Sequence, residues 1–188
     1  PHLHKFKYRH EDASVAKEML RKGDFIFTFD FKSAYHHIEI FNDHRNFAGF
    51  SWEIDWRNQY YVFNVLPFGI PTAAYIFKKV LREPMKFLRA KGMKIITFLD
   101  DGIGAESCID KAKNVSICVK QQLENLGFLF ADDKCEWLPT KRRIWLGLLW
   151  DMEKGKIFIT EDRIERLISS LEFVHLKVMK NKMFFFSS

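Results

Sequence analysis

The chain has 188 residues, 47% of them hydrophobic and 29% charged, with a formal net charge of +6. That length supports one sizeable core, and that balance is ordinary for a globular domain. No run approaches the ~20 apolar residues that span a bilayer, and no opening stretch reads as a secretion signal, so neither a helical membrane protein nor a secreted one is expected.

Three cysteines, Cys108, Cys118 and Cys135, match neither a disulfide framework nor a zinc knuckle, so a reducing, intracellular setting (cytoplasm or nucleus) is expected. The basic balance is compatible with a polyanionic partner and does not by itself identify one. Twenty phenylalanines point to a sheet-rich, aromatic core.

In chain order, the first predicted element is a helix from about Glu11 to Arg21, stopped by Gly23. "DFIFTFDF" alternates Phe25, Phe27, Phe29 and Phe31 against Ile26, Thr28 and Asp30. It reads as a strand with an aromatic face and an acid at the end of the other face. "NFAGFSWEI" and "NQYYVFNVL" flank the turn-like "DWRN" and read as a hairpin. A helical pattern runs from Pro71 through Ala74, Phe77, Val80 and Leu81 towards Gly92, with Pro84 inside it.

A strand into Asp100 follows, with "GIGAE" as its return partner, and then an amphipathic helix from Ile109 to Leu126 closed by Gly127. Short strands are expected near "FLFA", "RRIWLGLLW" and "KIFIT". A last helix from about Glu161 to Met179 puts Ile164, Leu167, Ile168 and Leu171 on one face. The pattern predicts an α+β domain, an antiparallel sheet with helices on one face. The apolar ending "FFFSS" gives the expectation of a truncated chain.

The stretch "KIITFLDDGIGA" ends a hydrophobic strand on Asp100 and Asp101. Adjacent carboxylates repel, and desolvating either without a partner costs several kcal/mol. One reading is turn chemistry, with Gly102 letting the backbone reverse. The other is a cation site: if Asp30 lies beside this hairpin, three hard oxygen donors converge and suit Mg²⁺ or Mn²⁺. Two ions held by shared carboxylates make a clamp for phosphoryl transfer.

"TFDFKSAYHHIEI", "LPFGIPTAAYIF" and "FLDD", in this order, resemble the A, B and C motifs of reverse transcriptases. "LGFLFADDKCEW" resembles the following D motif, and "WLGLLW" the primer-grip hairpin. The texture is similar to long-terminal-repeat retroelements, and especially to the tyrosine-recombinase (DIRS-type) retrotransposons. The resemblance runs from about Lys5 to Leu171 and implies a polymerase palm with a ferredoxin-like core.

Its implied organisation is 1–23 partial fingers, 24–140 palm with an interleaved fingers segment at about 41–70, 141–160 primer-grip-like hairpin and 161–188 truncated start of a thumb. The implied activity is RNA-directed DNA polymerisation from dNTPs on an RNA or DNA template with a primer, using two Mg²⁺ ions, with Mn²⁺ as a substitute. A fragment of this extent is expected to be poor in processive synthesis.

The resemblance implies that Asp30, Asp100 and the carbonyl of Phe31 ligate metal, with Asp101 essential beside them. Tyr35 would lie under the incoming sugar, where a rigid ring excludes a 2′-hydroxyl. Pro67, Phe68 and Gly69 would approach base and template; Phe68 stands where retroviral relatives often carry Gln. Phe98 replaces a commoner Tyr before the Asp pair, and Ala74 a usual Pro.

Lys134 would donate a proton to the leaving pyrophosphate or neutralise it; a solvated surface lysine is the plainer alternative. Trp145, Leu146 and Gly147 would support the primer terminus, or serve as sheet core. Asp132 and Asp133 read as loop residues. His36, His37, His2, His4 and His10 lack zinc spacing. Lys141–Arg143 and Lys78–Arg82 read as solvated faces, some of which would contact phosphate. The competing function is a catalytically incomplete, domesticated domain that only binds nucleic acid; a nucleotide cyclase gives "LPFG" no role.

Overall fold

The computed structural model describes residues 11–184. Asp12 caps the first helix, α1 (Ala13–Met19), by accepting the Ser14 N–H at 3.0 Å. The helix is shorter than the predicted span because Leu20 is already extended, ahead of the turn at Gly23 with φ 93. Strand β1 (Phe25–Asp30) follows and becomes an interior strand of the main sheet.

An exposed hairpin, β2 (Gly49–Ile54) and β3 (Arg57–Val62), turns at Asp55 and Trp56, both with positive φ. Helix α2 (Ala73–Ala90) runs through Pro84 and leads to the hairpin β4 (Lys94–Phe98) and β5 (Asp101–Glu106). Helix α3 (Ile109–Asn125) then leads to β6 (Glu136–Thr140). The four-stranded antiparallel sheet has the order β4-β5-β1-β6.

The alternation in β1 assigns its two faces. Phe27, Phe29 and Phe31 pack with Phe77, Leu81 and Leu88 of α2 and Val119 and Leu123 of α3. Ile26, on the other face, packs with Ile96, Ile103 and Ala105, and with Ala16 and Leu20 around α1. Trp145, Trp150 and Met152 complete that second cluster. The two tryptophans come from a three-stranded sheet of β7 (Arg142–Trp145), β8 (Leu148–Asp151) and β9 (Lys156–Ile159), and Met152 from the turn after β8. The long helices therefore share one face, as the α+β pattern requires, while the other face is closed by α1 and this smaller sheet.

The edge strand β4 is capped by side chains. Glu11 accepts a paired hydrogen bond from Arg89 at 2.6 and 2.9 Å and also takes the Thr97 N–H at 3.5 Å, while Arg89 Nε donates to the Ile95 carbonyl at 2.9 Å. Occupying edge groups in this way removes a template for strand pairing with another chain.

"FLFA" does not form a strand; it contributes a single bridge between Phe130 and Phe31. Strand β6, "EWLPT", carries a Pro that suits only an edge position, which β6 occupies. Its Trp137 stacks on Phe29 at 5.3 Å with an interplanar angle of 2°. Helix α4 (Glu161–Phe184) exposes Ile164, Leu167, Ile168 and Leu171. Among the described residues no helix is long and apolar enough to cross a membrane.

Gly102 is not a turn residue. It lies inside β5, where a Cβ would sit 2.1 Å from the Phe29 ring, and Gly104 would place one 2.2 Å from Phe27. Both glycines let phenylalanine rings lie flat across the neighbouring strand. Gly102→Ala is therefore expected to cost ~1–3 kcal/mol or more by overpacking, measured by urea unfolding. A Gly102→Ala, Phe29→Leu double variant should lose less than the sum of the single losses.

Candidate active site

The register of β1 against β5 sets the site. Asp30 lies directly opposite Asp101, so two acids from remote parts of the chain meet across one strand pair. Asp100 occupies the turn between β4 and β5, whose other residue is Leu99. Leu99 has φ 55, a left-handed conformation that favours glycine and costs a branched residue ~1–3 kcal/mol. The Asp100 carbonyl accepts the Phe31 N–H at 2.9 Å, which ties this strained turn to the end of β1.

The electrostatics follow from that geometry. Burial, then the charges of Asp100 and Asp30, pushes the Asp101 carboxyl up to about 6, and it hydrogen-bonds to Asp30. Asp30 is raised as well, chiefly by burial; Asp100 and Asp133 push the same way and Lys134 opposes them. The Lys134 ammonium lies 3.8 Å from Asp30 Oδ1. The contact between Asp30 and Asp101 and the nearby Lys134 ammonium offset part of the repulsion among these carboxyl groups.

Among the described residues no three His, Cys, Asp or Glu side chains close on one metal-sized point. The acids instead form a hydrogen-bonded pair with an exposed third, Asp100, alongside. This donor set is all hard oxygen, and its mutual repulsion is what a cation would relieve, so the residues fit Mg²⁺ or Mn²⁺.

The backbone of Asp30 is held by the segment that carries Lys134. Ala131 N–H donates to the Asp30 carbonyl at 2.9 Å. The Asp30 N–H donates to Cys135 Sγ at 3.3 Å, and the thiol donates to the Asp30 carbonyl at 3.6 Å. Burial pushes the Cys135 thiol up, so it remains protonated. Asp132 and Asp133 are exposed in the same loop.

Tyr35 sits in the short 3-10 helix Ala34–His37, its ring 4.9 Å from Phe68 and 5.8 Å from Phe77. Phe77 in turn meets Phe31, the residue after Asp30, at 5.9 Å. Phe68 is 61% exposed and also contacts the His36 ring at 5.3 Å. Pro67 is buried beside it and Gly69 has φ 86. The segment is anchored by the Leu66 N–H donating to the Ile38 carbonyl at 2.8 Å.

His37 turns inward. Its Nε2 accepts the Leu129 N–H at 2.9 Å, leaving Nδ1–H for the Ala34 carbonyl at 3.0 Å. His2, His4 and His10 lie outside the described residues.

The "WLGLLW" hairpin turns at Leu146 and Gly147, with φ 51 and 68. Trp145 is buried and its carbonyl accepts the Trp150 indole N–H at 3.2 Å. Arg163 at the start of α4 donates to the Leu146 carbonyl at 3.2 Å. Leu146 and Phe98 both pack against the second apolar cluster.

Arg143 departs from the solvated face expected of Lys141–Arg143. Its side chain is 18% exposed, pairs with Glu136 at 3.2 Å and donates to the Leu138 carbonyl at 2.7 Å. Arg142 pairs with the buried Asp151 at 3.4 Å. These cations hold strands together because each faces an acid or carbonyl on a neighbouring strand.

Residues 2–149 match the family model described as "Reverse transcriptase (RNA-dependent DNA polymerase)". The chain belongs to the reverse transcriptase family. Among solved structures it is similar to a foamy viral protease–reverse transcriptase dRH in complex with double-stranded DNA, with TM-score 0.70 and 17% identity over 83% of this chain and 25% of that one. A foamy viral protease–reverse transcriptase in complex with double-stranded DNA aligns with TM-score 0.67 and 16% identity, over 84% of this chain and 31% of that one. The chain thus spans between a quarter and a third of the length of these structures. No curated protein matches it.

The paired acids predict a pH dependence. Asp101 binds its proton more tightly folded, at about 6, than at its ordinary value of 3.8. In EDTA, its contribution to stability is therefore present at low pH and lost as pH rises from about 4 to about 6. Asp101→Asn should flatten that fall and melt higher than the parent at pH 7.5 without metal, read by thermal denaturation across pH.

Proposed function

We propose that this chain carries the nucleotidyl-transfer centre of an RNA-directed DNA polymerase from a retroelement of the LTR type, nearest in motif texture to the DIRS group. The observation that carries the reading is the Asp30–Asp101 pairing across β1 and β5 with Asp100 in the adjoining turn. Asp30, Asp100, Asp101 and the Phe31 carbonyl would hold two Mg²⁺ ions, with Mn²⁺ as a substitute. Bound there, the ions would supply the positive charge that lets a primer 3′-hydroxyl attack the α-phosphate of a dNTP as pyrophosphate leaves.

The protein's own residues align and select. Tyr35, braced by Phe68 and Phe77, would present a rigid ring beneath the sugar and leave no space for a 2′-hydroxyl. Phe68 would offer a stacking surface in place of an amide, and Pro67 and Gly69 would shape the backbone that approaches the base. Lys134, within 3.8 Å of Asp30, is positioned to move a proton to the pyrophosphate or to neutralise it. The hairpin at Leu146 and Gly147, together with Phe98, would carry the primer end; the buried Trp145 anchors the hairpin. The dsDNA in the foamy viral complexes supports a duplex template–primer as the partner.

The test is single-nucleotide incorporation on an RNA template with a DNA primer in Mg²⁺. Asp30→Asn, Asp100→Asn and Asp101→Asn should each lower incorporation by about 10²-fold or more, while template–primer binding in EDTA persists. Incorporation that survives these changes overturns the reading. Nucleic-acid binding with no incorporation by the parent chain would favour the binding-only domain. Tyr35→Ala should raise the use of rNTP relative to dNTP on the order of 10-fold, measured as a ratio of kcat/KM values.

A further inference from the structure

We infer that Cys135 is a positioning residue whose thiol stands in for a missing strand backbone and fixes Asp30 and Lys134 relative to each other. The inference rests on the reading of the site as a cation centre. The ladder between β1 and β6 has its last pair at Thr28 and Glu136. Continued in that register, the next partner for Asp30 would be Lys134. The chain has already turned there: the Lys134 and Cys135 N–H groups both bond to the Ala131 carbonyl, at 2.9 and 3.1 Å.

The sheet therefore offers the Asp30 N–H no backbone acceptor on this side. Cys135 Sγ takes that N–H at 3.3 Å and returns its own proton to the Asp30 carbonyl at 3.6 Å. One sulfur atom thus performs both halves of a ladder pair, donor and acceptor, as a thiol or a hydroxyl can. Ala131 N–H supplies a second bond to the same carbonyl at 2.9 Å. Together these bonds fasten the Ala131–Cys135 loop to the end of β1. They set the Lys134 ammonium against the Asp30 carboxylate, since residue 134 lies between the two anchors.

Metal-site supports of this kind act through the ligand they orient, and removing one costs affinity for the ion as well as stability. The test is Mn²⁺ binding by the whole chain, read by electron paramagnetic resonance of the free ion at a temperature well below the melting point of every variant. Cys135→Ala should weaken Mn²⁺ binding about tenfold, and Cys135→Ser, which keeps a donor and an acceptor, should restore most of it. Cys118→Ala, which removes a thiol from α3, should leave binding unchanged. Amide hydrogen exchange at residue 30 should quicken in Cys135→Ala and not in Cys118→Ala.

Cys135→Ala that melts lower yet binds Mn²⁺ like the parent overturns the positioning role while leaving the site itself intact. The same follows if Cys135→Ser binds as poorly as Cys135→Ala. A parent chain that binds no Mn²⁺ overturns the cation centre and this role with it.

Discussion

Two carboxylates opposed across neighbouring strands repel, and few sheets place them so without compensation. Here the opposition of Asp30 and Asp101 is imposed by the β1–β5 register, which the buried alternation of both strands locks. A slip of one residue would turn Phe27 and Phe29 to the wrong face and break both apolar clusters. The acids are thus held together by packing energy, and the repulsion is the part left for a proton, for Lys134 or for a cation to relieve.

The packing that enforces this register is mostly aromatic. Phe29 lies flat over Gly102, stacks with Trp137 and meets Phe31 and Phe130 edge-on. Because such rings fill the space above a glycine backbone, neither partner can change size alone. Stiffness at the centre of the sheet is what permits strain at its rim, where Leu99 keeps a left-handed conformation. The foamy viral likeness agrees with a scaffold of this type, an antiparallel sheet backed by two long helices.

What the sequence made legible is what depends on local period. The β1 alternation, the two long helices and the hairpin at Asp55 follow from spacing and turn residues, whereas the hairpin at Leu146 and the roles given to the acids come from the resemblance of ordered motifs. Non-local pairings were not. Cys135 and Asp30 are 105 residues apart in sequence, and no pattern around either advertises the other. Glu11 with Arg89 and Arg143 with Glu136 are likewise side-chain pairings set only once strands have met. Gly102 looked like turn chemistry because it follows an Asp pair; its reason is a ring on the neighbouring strand. Strand β6 was hidden by its proline, which an edge position tolerates.

The long separation between the two halves of the acid pair has a consequence for biogenesis. A chain of which only β1 has emerged carries Asp30 without Asp101, its partner across the sheet. The acid pair needs the β4–β5 hairpin against β1, and the bonds to the Asp30 backbone need the loop that leads into β6 as well. The pair is therefore absent from any partly made chain that lacks residue 101.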